Sequence, residues 1–168
     1  MQYRFFIFLL SLMFVPVTWA DGNIAVTKIM EIPAPAAIVW AKVGDFSAMN
    51  GWHPAVAKDE ITEGENNKVG AIRVLTLGDG GTIQEELMEW DDAGMSMTYR
   101  ILESVLPVSS YTATIKVLAL DDKTSKITWS GSFDAKRGAD DKTASTTISG
   151  IYDAGLENLR KIMSSVEK

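Results

Sequence analysis

Few side chains in this sequence could do chemistry, and the single histidine is one of them. His53 lies in the run Trp52-His53-Pro54. Imidazole titrates near neutral pH, so His53 could serve as a general base or as a hydrogen-bond donor to a ligand. It could equally be structural, its ring bonded to a backbone carbonyl in a tight proline-containing turn. The second role is the commoner one for a histidine with no Asp or nucleophile near it in sequence. There is no Cys, which removes thiol nucleophiles, disulfides, Cys-ligated zinc and iron–sulfur clusters. One histidine excludes a multi-histidine metal site. The acidic clusters Glu63-Gly64-Glu65, Glu85-Glu86, Asp91-Asp92, Asp121-Asp122 and Asp140-Asp141 lack the spacing of a calcium loop and read mostly as solvated turns. Gly78-Asp79-Gly80-Gly81 lacks the following helix and Lys of a phosphate-binding loop, and reads as a hairpin turn. No cofactor and no metal are expected.

Arg73 and Glu85 flank that turn. If Leu77 pairs with Gly81, then Leu75 faces Ile83, Arg73 faces Glu85 and Ala71 faces Leu87. This register puts three apolar pairs and one ion pair on the same face. On the core side the pair would orient a ligand's polar group, since burial makes such a pair a poor source of stability. On the solvent side it is an ordinary cross-strand pair worth under about 1 kcal/mol. A slip of one residue exchanges the two faces, so the sequence leaves both open. Tyr99, Tyr111 and Trp129 fall on three consecutive strands, each on the face expected to point inward. They read either as a pocket lining, with polar tips aimed at a ligand, or as large core residues. Tyr152 would look back at the same space, and Met88, Met95, Met97 and Met163 would add adaptable packing around it.

The elements that must position these groups are legible from period and turn chemistry. Ile24–Ile32 is rich in Ile, Val and Thr and is predicted as a strand, ended by Pro33-Ala34-Pro35. Ala36–Asp45 has helical spacing, and Phe46–Pro54 forms a second short helix or turn. Six strands follow, at Ala55–Glu63, Val69–Leu77, Thr82–Trp90, Met95–Glu103, Ser109–Leu120 and Lys126–Asp134. Clusters of Gly, Asn and Asp separate most of them, which favours an antiparallel meander. Thr143–Lys168 is the longest helical stretch, with Ile148, Ile151, Tyr152, Leu156, Leu159, Ile162 and Met163 on one stripe. Gly150, Ala154 and Gly155 would thin that helix and let it lie close to the sheet. The fold class is therefore α+β. Seven antiparallel strands wrap a long C-terminal helix, with two short helices after the first strand and a cavity between sheet and helix.

The chain divides into an expected signal peptide at 1–20 and a single domain at 21–168. Arg4 precedes an apolar run from Phe5 to Val15, and Thr18 and Ala20 are the small residues a signal peptidase needs before its cut. Cleavage after Ala20 would release a periplasmic protein with no stable membrane anchor. Removal of Arg4 would leave 15 Lys+Arg against 22 Asp+Glu. A net negative chain is a poor binder of nucleic acid, which takes up Lys and Arg by releasing phosphate counterions.

Several stretches together resemble the SRPBCC superfamily of START and Bet v 1-like proteins, and within it the polyketide cyclase/dehydrase branch. They are PAPAAIVWAKVGDFSAMNGWHPAV, VGAIRVLTLGDGGTIQEEL, YRILESVLPVSSYTATIKV, ITWSGSF and GIYDAGLENL, in that order across nearly the whole chain after residue 20. The resemblance implies a helix-grip fold and a small apolar or aromatic ligand held in the sheet–helix cavity. The residues singled out above supply the candidate ligand-binding set, His53, Arg73, Glu85, Tyr99, Tyr111 and Trp129, with no catalytic residue among them. The leader and the run WHPAVAK are also similar to MxaD-type accessory proteins of methanol oxidation. That similarity implies a periplasmic dehydrogenase or cytochrome as partner. The alternative is a polyketide cyclase or aromatase-like enzyme using His53, Arg73, Glu85 and Tyr99.

Overall fold

The computed structural model describes residues 22–166, so the expected signal peptide at 1–20 lies outside the described residues. Strand β1 (Ile24–Ile32) has the expected bounds and gives way at Pro33 to helix α1 (Ala36–Val43), whose N-cap is Pro35. Proline suits a helix start because its missing N–H would have had no partner there. The helix ends at Val43, two residues before the expected end, with Gly44 as its C-cap. The indole of Trp40 folds back over Gly44, where a Cβ would meet the ring at 2.5 Å. The second short helix is a single 3-10 turn, Met49–Gly51.

Six strands follow: β2 (Val56–Glu63), β3 (Ile72–Leu77), β4 (Thr82–Asp91), β5 (Ser96–Ser104), β6 (Val108–Ala119) and β7 (Ser125–Ala135). Helix α2 (Asp141–Val166) closes the chain. The sheet has the order β1-β7-β6-β5-β4-β3-β2, and every pairing is antiparallel. This is the helix-grip arrangement expected from the sequence.

Most strand boundaries shift by a residue or so from those expected, and three of the differences have a clear local reason. Met95 does not begin β5; its φ of 50° belongs to the turn, and Ser96 is the first paired residue. β3 starts at Ile72 because Gly70 adopts a φ of 88°. α2 starts two residues before Thr143, because the carboxylate of Asp140 accepts the Thr143 N–H at 2.7 Å and caps the first turn.

The core lies between the concave face of the sheet and α2. Ala144, Ile148, Tyr152, Leu156, Leu159 and Met163 form the buried stripe of the helix. They recur every three or four residues, which keeps them on one side of a 3.6-residue turn. Met97, Tyr99, Ile115, Ile127, Trp129 and Phe133 meet them from the sheet. Met88, expected among the core methionines, alternates out of phase with buried Leu87 and belongs to the other face of β4. Among the described residues no helix is long and apolar enough to cross a membrane.

Candidate functional site

The β3–β4 hairpin has the predicted register. Arg73 is opposite Glu85 and Leu75 opposite Ile83, with Ala71 and Leu87 joined beyond the strand end by a backbone hydrogen bond of 2.9 Å. The structure also decides the face. Arg73 is 0% and Glu85 4% exposed, so the pair belongs to the core. Arg73 Nε and Nη2 both reach Glu85 Oε2, at 2.7 and 2.6 Å. Nη1 donates to the Phe46 carbonyl at 2.7 Å, and the guanidinium lies 4.1 Å from the centre of the Phe46 ring. That carbonyl is held in place from elsewhere. Asn67, in the left-handed region at φ 60°, accepts the Phe46 N–H at 2.8 Å, and Asn66 donates to Asp45 at 2.7 Å. The β2–β3 turn thus fixes the loop that caps Arg73.

A third charged group completes the cluster and was not legible in the sequence. Asp59 sends a fully buried carboxylate toward Arg73, at 3.5 Å, and accepts the Met49 N–H at 2.9 Å. Its other oxygen, Oδ1, is buried with no partner. Strict alternation from Val56 would put Lys58 and Glu60 inward. A bulge between Val56 and Lys58 shifts the phase by one, and Asp59 turns in instead. Two carboxylates therefore share one guanidinium. Burial raises the pKa of both Glu85 and Asp59, and Arg73 offsets this only in part. Burial alone would lower the Arg73 pKa, but Glu85 and Asp59 outweigh it and hold it above its usual value.

His53 is tied into the fold by both ring nitrogens. The Ala55 N–H donates to Nδ1 at 3.3 Å, so Nδ1 is the acceptor and Nε2 carries the proton. Nε2–H then donates to the Ile151 carbonyl of α2 at 3.0 Å. This approach requires Gly155. A Cβ there would lie 2.6 Å from His53 Cδ2 and 3.0 Å from Trp129 Cζ3. Asn158, one turn on, donates to the Trp52 carbonyl at 2.9 Å and clamps the same turn. Burial holds the imidazole pKa below its ordinary value, partly offset by the bond to Ile151. The geometry is that of the structural alternative stated above, although one edge of the ring also reaches the cavity.

Tyr99, Tyr111 and Trp129 do share the inward face on β5, β6 and β7. Tyr111 points inward by simple alternation with Ala113, Ile115 and Val117, and the bulge at Ser109–Thr112, where Ser110 has a φ of 51°, returns Val108 to the same face. Their polar tips mainly serve one another. Trp129 Nε1–H donates to the Tyr99 hydroxyl at 2.9 Å, and the hydroxyls of Tyr111 and Tyr152 lie 2.6 Å apart. Tyr152 stacks on Trp129 at 4.2 Å between centroids, and its hydroxyl occupies the space that a side chain at Gly131 would fill. Burial pushes the phenol pKa values of Tyr99 and Tyr111 well up, so both are neutral.

Between these side chains and α2 lies a cavity of about 80 Å³. Its wall includes Val56, Leu75, Ile83, Ile101, Ile148 and Ile151, together with His53, Glu85, Tyr99, Tyr111 and Trp129. Five of the six residues singled out from the sequence therefore line one space. The exception is Arg73, which stands behind Glu85 with its N–H groups already engaged. Met49, which the sequence did not flag, lines the same wall. Apolar carbon dominates the lining, and Glu85 is the one carboxyl group on it. About 80 Å³ is roughly half of an engineered apolar cavity that takes benzene. A single small ring is therefore the upper limit of occupant, and it would need the wall to yield, for which the unbranched Met49 is suited.

Residues 23–164 match the family described as "Polyketide cyclase / dehydrase and lipid transport". Among known proteins, MLP-like protein 423 of Arabidopsis thaliana is 29% identical over 115 residues, which span 62% of this chain and 72% of that protein. Among solved structures, the protein XoxI from Bacillus cereus is 32% identical with a TM-score of 0.79, covering 86% of this chain and 98% of that one. A Bacillus thuringiensis protein is 33% identical with a TM-score of 0.77, over 83% and 98% of the two chains.

Proposed function

Because the chain belongs to the polyketide cyclase/dehydrase and lipid-transport family of the SRPBCC superfamily, we propose that it is an exported binding module that holds a small apolar or aromatic molecule without changing it. The observation that carries this reading is the cavity itself, apolar on most of its wall and enclosed between sheet and α2. Such spaces are where small ligands bind in folds of this kind. The polar groups that reach it support binding over turnover. A general base must be free to take a proton, and His53 has both nitrogens engaged. Glu85 has one oxygen fixed by two bonds to Arg73, which holds the carboxyl in place on the cavity wall. The leader at 1–20 motivates export to the periplasm. There the protein would act as an accessory of the MxaD type, assisting electron transfer from methanol dehydrogenase to its cytochrome.

The test uses the chain lacking residues 1–20. Toluene, phenol and related single-ring compounds are titrated while indole emission is followed, since Trp129 lines the cavity. A saturable change is expected, and Ile151→Phe, which narrows the cavity from α2, should abolish it without loss of the folded state. Conversion of a ligand to product, stopped by Glu85→Gln, would make the protein an enzyme and end the binding-only reading. N-terminal sequencing of the secreted chain should find Asp21 first. An increased rate of cytochrome reduction by methanol dehydrogenase on adding the protein is the outcome the accessory role requires.

A further inference from the structure

The cavity has a chemical polarity that its apolar lining conceals. Its wall holds one carboxyl group, Glu85, and no available cation. Arg73, the nearest guanidinium, is behind that carboxylate. Its Nε and Nη2 go to Glu85 Oε2, its Nη1 goes to the Phe46 carbonyl, and Phe46 and Tyr99 cover its faces. His53 spends its one N–H on the Ile151 carbonyl. Trp129 spends its N–H on Tyr99. The tyrosine hydroxyls can donate or accept and so do not discriminate between ligands. Glu85 does. Its Oε2 takes both bonds from Arg73, while no hydrogen bond to its Oε1 is found among the described residues.

The cluster has two carboxylates to one guanidinium, and the distances say which of them the cation serves. Arg73 reaches Glu85 at 2.6 Å and Asp59 only at 3.5 Å. Asp59 is the member with a sealed, unpartnered oxygen. A buried carboxylate in that position sheds its charge by taking a proton, and the neighbour held by short charge-assisted bonds keeps its own. Glu85 therefore meets the cavity as an acceptor.

We propose that this cavity selects compact rings that offer a hydrogen-bond donor, such as phenols and aromatic amines, and rejects anions and pure acceptors. The proposal rests on the binding reading above and adds the class of ligand to it. A donor on the ring would bond to the free oxygen of Glu85. A carboxylate would meet a like charge in a site with no cation to spare, and a carbonyl would leave Glu85 desolvated and unpaired.

Four probes of nearly one shape separate the possibilities: toluene, phenol, benzaldehyde and benzoate. They are titrated into the 21–168 chain at pH 7, with displacement of a bound fluorescent ring compound as a second readout. Phenol should bind about tenfold more tightly than toluene or benzaldehyde, the scale of a hydrogen bond to a charged acceptor, and benzoate should not bind. In Glu85→Gln the advantage of phenol should fall below about threefold. The thermal melt of that variant is recorded in parallel, and the wild-type series decides the matter even if the variant does not fold. If toluene binds while phenol gains nothing over it, or if benzoate or benzaldehyde binds as well as phenol, this inference is overturned and the binding reading survives. If none of the four binds, the binding reading itself fails, and this inference with it.

Discussion

Two glycines of α2 sit five residues apart and should respond oppositely to the same substitution. Gly150 is exposed, and a Cβ there meets nothing within 4 Å. Gly155 is buried against His53 and Trp129, and its Cβ would lie 2.6 Å from one ring and 3.0 Å from the other. Replacing Gly by Ala inside a helix gains about 1 kcal/mol from propensity at either position. That gain cancels in the comparison, leaving only the local contacts. Ordinary carbon contacts are about 3.5–4.0 Å, so at position 155 the imidazole must retreat by about 1 Å. The 3.0 Å bond from Nε2 to the Ile151 carbonyl cannot survive that movement. Overpacking of a close-packed site costs about 1–3 kcal/mol. Loss of a hydrogen bond adds about 0.5–1.5 kcal/mol. Gly155→Ala should therefore be less stable than Gly150→Ala by about 1.5–4.5 kcal/mol. At about 2–4 °C per kcal/mol for a chain of this size, the two melting temperatures should differ by several degrees at least, with Gly150→Ala above wild type. Urea unfolding of both variants, with unchanged slope, measures the difference directly. Equal stability within about 0.5 kcal/mol would refute the close packing of His53 on α2, and with it the structural role given to that histidine.

Other perturbations test the rest of the site. Arg73→Met leaves two buried carboxylates without their cation and should cost about 3–5 kcal/mol at pH 7. Carboxyl groups whose folded pKa is raised stabilise the fold below their ordinary values of 3.8 and 4.5 and lose that contribution as the pH rises, so the deficit should shrink as the pH falls toward 4.5. Urea melts at several pH values check both statements. His53 has the opposite sign: its lowered pKa leaves its contribution complete above 6.5 and erodes it as the pH falls through the folded value, so nitrogen NMR at pH 6.5, where a free imidazole is half protonated, should show a mostly neutral ring with its proton on Nε2. Tyr152→Phe removes one hydroxyl of the 2.6 Å pair and takes that partner from Tyr111, at about 1–3 kcal/mol by chemical denaturation. A chain ending before Thr143 loses Ile148, Tyr152, Leu156 and Leu159 from the core. At about 2–5 kcal/mol for each large side chain it should show no cooperative melt.

The order of elements, the antiparallel meander and the buried stripe of α2 were legible in the sequence, because each depends on a period of two or 3.6 residues and on turn residues beside it. The Arg73–Glu85 register was legible for the same reason: one hairpin turn sets the pairing of its two strands. Which face of the hairpin is buried was not, since the alternation reads the same from either side until α2 and the Phe46 loop cover one of them. Asp59 escaped notice because a bulge after Val56 reverses the phase of β2, and a charged residue between Lys58 and Glu60 looks solvated. The tyrosines were placed correctly on their face, but their hydroxyls were free to aim anywhere in sequence space. Only the packed structure brings Tyr111 to Tyr152 and Trp129 to Tyr99. The partner of His53 is a carbonyl 98 residues away, reached because Gly155 has no side chain. Local periodicity specifies elements through neighbours a few residues apart. The charge state of the cluster, the duty of the histidine and the size of the cavity come from contacts between distant segments, where a fraction of an ångström decides what is buried, bonded or left open.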